Sequence, residues 1–236
     1  MSERDVLVVI PTYNERANLG ELLQGIRTHA PAADVLIVDD ASPDGTAAHA
    51  REIGATLGRV DVLARPGRQG IGSAYRDGFR EGLVRGYRRL VSMDADLSHE
   101  PRYLPDLLAA TEDADVGIGS RYLHGVSVVN WTLLRLAASV GANAYARAIT
   151  GLPVHDCTSG FQAFRREVLE TIDVDRLRFH DYAFLIEVKY RAFRSGFRLR
   201  EVPIIFVERK EGESKNGIRT VLRTGLAVWA LRLGMR

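Results

Sequence analysis

Two aspartates, Asp94 and Asp96, stand two positions apart in the segment SMDADLSH at residues 92–99. The apolar stretch LVSM runs into them, and in an extended chain residues i and i+2 point to the same side. Both carboxylates can therefore face one site at the C-terminal edge of a sheet, where open α/β folds keep their ligands. Two carboxylates held that close repel unless a positive group lies between them. Their hard oxygens suit Mg2+ or Mn2+, and Mg2+ commonly takes one or two carboxylates together with substrate phosphates. The spacing points to metal-assisted binding of a diphosphate. A solvated acidic turn is the alternative that the pair alone leaves open.

The elements that must position these residues follow from periodicity. Continuous apolar runs at 6–10, 35–38, 60–64, 90–93 and 116–119 read as buried strands. Between them lie helical patterns: one after PTYNER, with Asn14 as the expected cap and Leu19, Leu22, Leu23 and Ile26 on its apolar face, then ASPDGTAAHAREIGATL, GIGSAYRDGFREGL and residues 101–111. Strand and helix alternating at this spacing imply right-handed βαβ units and a mostly parallel sheet. Three strands then end in polar groups on one edge: Tyr13 and Glu15, Asp39 and Asp40, Asp94 and Asp96. Independent solvated turns rarely converge in this way. Beyond residue 120 the pattern changes to a long helix at 131–149, the irregular GLPVHDCTSGFQAF, a helix at 181–195, an extended segment at 197–207 and a terminal helix at 217–233. No linker separates the halves, so the second half is expected to elaborate the same sheet.

Composition narrows the function classes. The chain has 236 residues, 46% of them hydrophobic, and a net charge of only +2, so nothing marks a nucleic-acid binder. The sign is uneven, however. Arg121, Arg135 and Arg147 have no acidic neighbour between 116 and 155, and Lys215, Arg219, Arg223, Arg232 and Arg236 have none beyond Glu213. Such acid-poor stretches favour phosphates or a lipid surface, solvated helix faces being the alternative. The lone Cys157 rules out a disulfide framework and suggests a reducing compartment. The N-terminus does not read as a signal peptide. No uncharged stretch reaches the roughly 18–20 residues of a spanning helix. His99, His124, His155 and His180 lack metal-ligand spacing.

The segments VVIPTYNE, VDDASPDGT, GIGSAYRDG, MDADLSH, GSRY, TSGFQAF and EVPIIFVERKEGESK occur in the order seen in inverting family-2 glycosyltransferases with a GT-A fold. Within that group the chain most resembles polyprenol-phosphate (dolichol-phosphate) mannose synthases without transmembrane helices, from about residue 6 to 215. The resemblance implies one GT-A unit over 1–236, with a nucleotide-sugar half at 1–120 and an acceptor half at 121–236. It implies transfer of mannose from GDP-mannose to a polyprenyl or dolichyl monophosphate at the cytoplasmic face of a membrane, in the cytoplasm, alone or with an anchoring partner or a second copy. It assigns Pro11, Tyr13, Glu15, Val38 and Asp40 to the nucleoside. Asp94, Ala95 and Asp96 are assigned to the diphosphate and an Mg2+ or Mn2+ ion, with Asp96 the direct ligand. Arg121, Arg209 and Lys215 are assigned to phosphates, with Asp96, Arg121 and Arg209 closest to the chemistry. The chain departs from the family pattern at Thr132, Val140, Leu185 and Asn216, all near the presumed lipid side.

Other readings fit less well. A dinucleotide fingerprint would need G-x-G-x-x-G after the first strand, where PTYNER stands instead. A haloacid-dehalogenase-like phosphatase would carry D-x-D after its first strand. A glucosyltransferase using UDP-glucose is the nearest enzymatic rival, and a non-catalytic nucleotide-sugar-binding protein is the rival from another class. The resemblance implies a phosphate nucleophile, and a phosphomonoester is largely dianionic above its second pKa near ~6, so no strong enzymatic base is expected. Asp156 is expected to serve structure or sugar contact before base catalysis. WTLLRLAASVGANAYARAI and the terminal helix mix bulky apolar residues, Trp and Arg as interfacial anchors do. Packing on the sheet or against a second copy is their alternative.

Overall fold

The structure, a computed structural model, describes residues 4–181, 183–207 and 218–234, with backbone only over 218–224. Strands β1 (Arg4–Thr12), β2 (Asp34–Asp39), β3 (Val60–Ala64), β4 (Tyr87–Ser92) and β5 (Val116–Ser120) match the five apolar runs, β3 at both ends and the others with ends shifted by up to three residues. The helices between them are α1 (Arg16–His29), α2 (Thr46–Leu57), α3 (Ile71–Val84) and α4 (Leu104–Asp113). Later come a short β6 (Val128–Val129), α5 (Leu133–Thr150), β7 (Gln162–Arg165), α6 (Arg166–Ile172), α7 (Ala183–Arg194), β8 (Leu199–Pro203), β9 (Phe206–Val207) and α8 (Ile218–Leu233).

The main sheet has seven strands in the order β3-β2-β1-β4-β7-β5-β8. Only β7 runs against its neighbours β4 and β5. Three of its four residues fall at the end of the segment expected to be irregular. The strand is short, and its neighbours on both sides supply the hydrogen bonds that hold it extended. The two strands of the second sheet, β6 and β9, pair in parallel.

Alternation along β1 divides the core. Leu7 and Val9 face one layer with Tyr75 and Phe79 of α3 and Phe184 of α7. Val6, Val8 and Ile10 face the other, with Leu19, Leu22, Leu23 and Ile26 of α1 and Leu104 and Leu107 of α4. Helix α3 lies very close to the sheet, since a Cβ at Gly78 would stand 2.3 Å from Val9 Cγ1. Any larger residue there would push α3, and the side chains it carries, off the strands.

One local expectation is corrected. Asn14 does not cap α1: the N-cap position is Glu15, with no side-chain cap bond. Asn14 instead adopts φ 59°, a left-handed conformation that Asn tolerates, and its N–H donates to Ser42 Oγ at 3.0 Å. The residue serves the contact between two loops.

Candidate active site

The order β2-β1-β4 makes the loops after those three strands neighbours at one edge of the sheet. Side chains stitch them together. Asp39 Oδ1 accepts from the hydroxyls of Thr12 (3.0 Å) and Ser42 (2.6 Å), and Oδ2 from the Ser42 N–H (2.9 Å). The Glu15 N–H donates to Thr46 Oγ1 at 3.1 Å. Asp44 accepts from the Thr46 hydroxyl (2.5 Å) and N–H (2.9 Å) and from the Arg16 N–H (3.2 Å). Burial pushes the Asp44 carboxyl upward, but these bonds outweigh it and hold it below its ordinary range. The two neighbouring aspartates thus divide the work: Asp39 closes the turn.

Asp40 meets a buried cation. Its Oδ1 pairs with Arg65, and its Oδ2 accepts from the Gln69 N–H at 3.2 Å. Arg65 also donates to Gln69 Oε1 (3.1 Å) and Ser73 Oγ (2.6 Å) and pairs with Asp77 (3.0 Å). The loop after β3 is thereby fixed beside the loop after β2. Arg68 of that loop lies over the Tyr13 ring, 4.7 Å from its centroid. Pro11 and Glu15 are half-buried near the same edge, whereas Val38 is fully buried within β2. Only its main chain is left to face a ligand.

Asp94 and Asp96 fall just past the end of β4, Asp94 in an irregular stretch and Asp96 on the bend that follows. The extended-chain argument therefore does not describe them, and hydrogen bonds orient each one separately. Asp94 Oδ1 accepts from the Tyr75 hydroxyl (2.7 Å), and its N–H donates to His99 Nδ1 (3.0 Å), which leaves the neutral ring's proton on Nε2. His99 stacks on Phe161 with centroids 5.1 Å apart. Asp96 Oδ1 accepts from the Ser98 hydroxyl (2.5 Å) and N–H (3.2 Å) across Leu97 at φ 62°. Ala95 between them is buried. Gly160 passes beside this loop, where a Cβ would lie 3.4 Å from His99 Cε1 and 3.7 Å from Asp94 Oδ2. Among the described residues no three His, Cys, Asp or Glu groups converge as a complete metal site. Two oxygen ligands from a D-x-D loop still fit Mg2+ or Mn2+, whose remaining positions suit diphosphate oxygens and water.

Arg121 follows β5 and is nearly buried. Its Nε and N–H donate to Asp156 Oδ2 (2.7 and 3.1 Å), and its Nη2 to Asp156 Oδ1 and Thr158 Oγ1 (both 2.7 Å). Tyr122, Trp131 and Phe206 surround the guanidinium at 5.4–5.6 Å. Burial alone would lower the Arg121 pKa and raise that of Asp156. Their mutual attraction wins at both, so Arg121 is shifted up and Asp156 down, and Asp94 adds to the effect on Arg121. A carboxylate shifted down and fully buried in a bidentate pair is a poor proton acceptor. Glu201 of β8 holds the preceding turn by accepting from the N–H groups of His155 (2.8 Å) and Asp156 (2.9 Å). The cation site reaches α5 through Asn143, which bonds Thr158 in both directions (3.3 Å), and through Tyr122 to Ser139 (2.7 Å).

The sequence reading missed Arg65, Tyr75, His99, Thr158 and Glu201. Arg65 and His99 had a usable signal, since each lies in a loop that follows a strand at the ligand edge. Tyr75 had none, because a tyrosine on an apolar helix face reads as core. Arg209 and Lys215 lie outside the described residues.

Residues 7–173 match the family described as Glycosyl transferase family 2. Polyprenol monophosphomannose synthase of Mycolicibacterium smegmatis is 46% identical over 231 residues, covering 96% of this chain and 87% of that protein. Undecaprenyl-phosphate mannosyltransferase of Micrococcus luteus is 45% identical over 229 residues, covering 94% of each. A mannosyltransferase from Pyrobaculum calidifontis, solved in complex with GDP-Man and Mn2+, superposes with a TM-score of 0.59 at 18% identity, over 98% of this chain and 70% of that one.

Proposed function

The chain belongs to glycosyl transferase family 2, with a GT-A fold, and from that premise we propose that it transfers mannose from GDP-mannose to a polyprenyl monophosphate with inversion. The observation that carries this reading is the joint placement of an acidic pair and a buried, tightly held arginine at one sheet edge, beside a helix with an exposed apolar face. The two mannosyltransferase relatives, each aligned over nearly the whole chain, support the sugar and the acceptor class. In this reading 1–120 is the donor half and 121–236 the acceptor half of one catalytic unit.

Pro11, Tyr13, Glu15, Val38 and Asp40 line the nucleoside site. Asp94 and Asp96, flanking Ala95, hold the diphosphate side and would bind Mg2+ or Mn2+, which when present neutralises charge on the departing diphosphate. Tyr75 and His99 orient Asp94. Arg121, with Arg209 and Lys215, draws the acceptor phosphate toward the donor despite their like charges. An acceptor phosphate oxygen bonds to the anomeric carbon as the bond from that carbon to GDP breaks. The dianionic nucleophile gives up no proton, so no side chain need act as base. The protein's contribution is position and charge.

The acceptor's tail stays in the bilayer. Among the described residues no helix is long and apolar enough to cross a membrane. Leu133 and Leu134 at the start of α5 are 84% and 82% exposed, and Leu226, Trp229 and Leu233 of α8 are exposed too. Tyr145 ties the helices together through its hydroxyl to the Gly225 carbonyl, 3.1 Å. Such a face, with Arg135 and Arg232 at its ends, suits a peripheral position on the cytoplasmic side of a membrane.

Labelled GDP-mannose, GDP-glucose, UDP-glucose and UDP-GlcNAc, each offered with undecaprenyl phosphate and Mn2+ or Mg2+, test the assignment. GDP-mannose is expected to be used at least about tenfold faster than the others, as a site that pairs with the correct base and hydroxyls allows. Preferential use of UDP-glucose would replace the donor and sugar.

A further inference from the structure

Lys189 of α7 is fully buried, yet among the described residues its ammonium has a single hydrogen bond, to the Ser159 carbonyl at 2.7 Å. Among the described residues it forms no ion pair. The groups that bear on it electrostatically are Asp156 and Cys157 from the segment after α5, Arg121 from the end of β5 and Glu201 from β8. Burial pushes the Cys157 thiol up to about 11, so it stays neutral. The cluster thus holds two cations, Arg121 and Lys189, against two carboxylates, Asp156 and Glu201, with the half-exposed His155 ring, 2.7 Å from Glu201, left out of this sum. With Lys189 charged it sums to zero, and with Lys189 neutral it carries one negative charge immediately behind Arg121.

We propose that Lys189 is a positioning residue for the acceptor phosphate, neutralising Asp156 from within the core so that Arg121 keeps a positive field toward an incoming anion. The proposal rests on the acceptor reading given above. The Ser159 carbonyl it grips lies one residue before Gly160, which borders Asp94 and His99. One ammonium therefore bears on both the cation site and the acidic loop. Its charge is held at a cost to the fold, since burial brings its pKa from 10.5 down to about 8, with Asp156 opposing the shift. Between about pH 8 and 10.5 the unfolded chain binds a proton that the folded chain does not, so stability contributed through this group rises with pH. The effect on phosphate attraction has the opposite sign, because the ammonium discharges over the same range.

Lys189→Met, close in volume and uncharged, separates the two. At pH 7 it is expected to raise the KM for undecaprenyl phosphate about tenfold, the order of one uncompensated charge at short range, with the KM for GDP-mannose unchanged and the melting temperature equal or higher. In the wild type the acceptor KM should climb as pH passes 8, while in the variant it stays flat from pH 7 to 9. A lower melting temperature with donor and acceptor constants impaired alike would reduce Lys189 to core filling and overturn the proposal. An unchanged acceptor KM would do the same. If the variant does not fold, the wild-type profiles decide: a rising acceptor KM beside a constant donor KM supports the proposal, and two flat profiles overturn it. Failure of the wild type to transfer mannose would instead count against the acceptor reading. Melting curves from pH 7 to 10 would still test the buried charge, since any stability advantage of the variant should shrink as pH rises and a pH-independent difference overturns the claim.

Discussion

Asp96→Ala is expected to lower mannose transfer by at least about a thousandfold while leaving the fold intact. The rate loss follows from removing a carboxylate from the proposed diphosphate site, where charge neutralisation is worth several kcal/mol, and each ~1.4 kcal/mol is a factor of ten. The stability loss is small because Asp96 stands outside the core, half-buried at the sheet edge, where its bonds to the Ser98 turn are two hydrogen bonds on one oxygen. Hydrogen bonds to a carboxylate contribute about 1.5–3 kcal/mol each, toward the lower end at a half-exposed position. Circular dichroism melting and initial rates on the same preparation check both halves. Excess chelator should silence the wild type in the same way, and full wild-type turnover in chelator would remove the metal from the account.

The second large effect is on stability. Asp156→Ala leaves the Arg121 guanidinium buried with Thr158 as its remaining side-chain acceptor, and breaking one side of a buried pair costs about 3–5 kcal/mol. The double variant Arg121→Ala/Asp156→Ala should cost clearly less than the sum of the two single changes, because neither partner is then stranded. Urea unfolding of the four proteins measures the coupling, and strict additivity would contradict the pairing. The acid limb gives an independent reading. The Asp156 carboxyl is shifted below its ordinary value of 3.8, so its stabilisation is present above that value and lost as pH falls through the lower folded one. The wild type should lose part of its margin over Asp156→Ala in that acid range.

Much of the first 120 residues was legible because buried parallel strands are continuous apolar runs and their ends carry the polar groups. The five runs became β1 to β5, and the loops at Tyr13, Asp40 and Asp94 do share an edge. What stayed hidden depends on tertiary contact. The four residues of β7 are extended because β4 and β5 flank them, and no periodicity in QAFR reports those neighbours. Asp39 and Asp40 are identical letters, yet one binds Ser42 within its own turn and Thr12 across on β1, and the other meets Arg65, 25 residues on. Arg121 was legible as a cation, whereas its clamp by Asp156 required two distant segments to be seen together. Lys189 resembles any helix lysine until its complete burial is known.

The central claim is that an ionised polyprenyl phosphate attacks the mannosyl carbon of GDP-mannose on this site. Its most direct measurement is the product of GDP-mannose, undecaprenyl phosphate and Mn2+ incubated with the protein, analysed by mass spectrometry and by proton and phosphorus NMR. The account predicts a mannosyl phosphodiester of undecaprenol in the β configuration, formed in equal amount with GDP and absent with Asp96→Ala. Binding of GDP-mannose without any lipid-linked product, or a product carrying mannose in the α configuration, would contradict it.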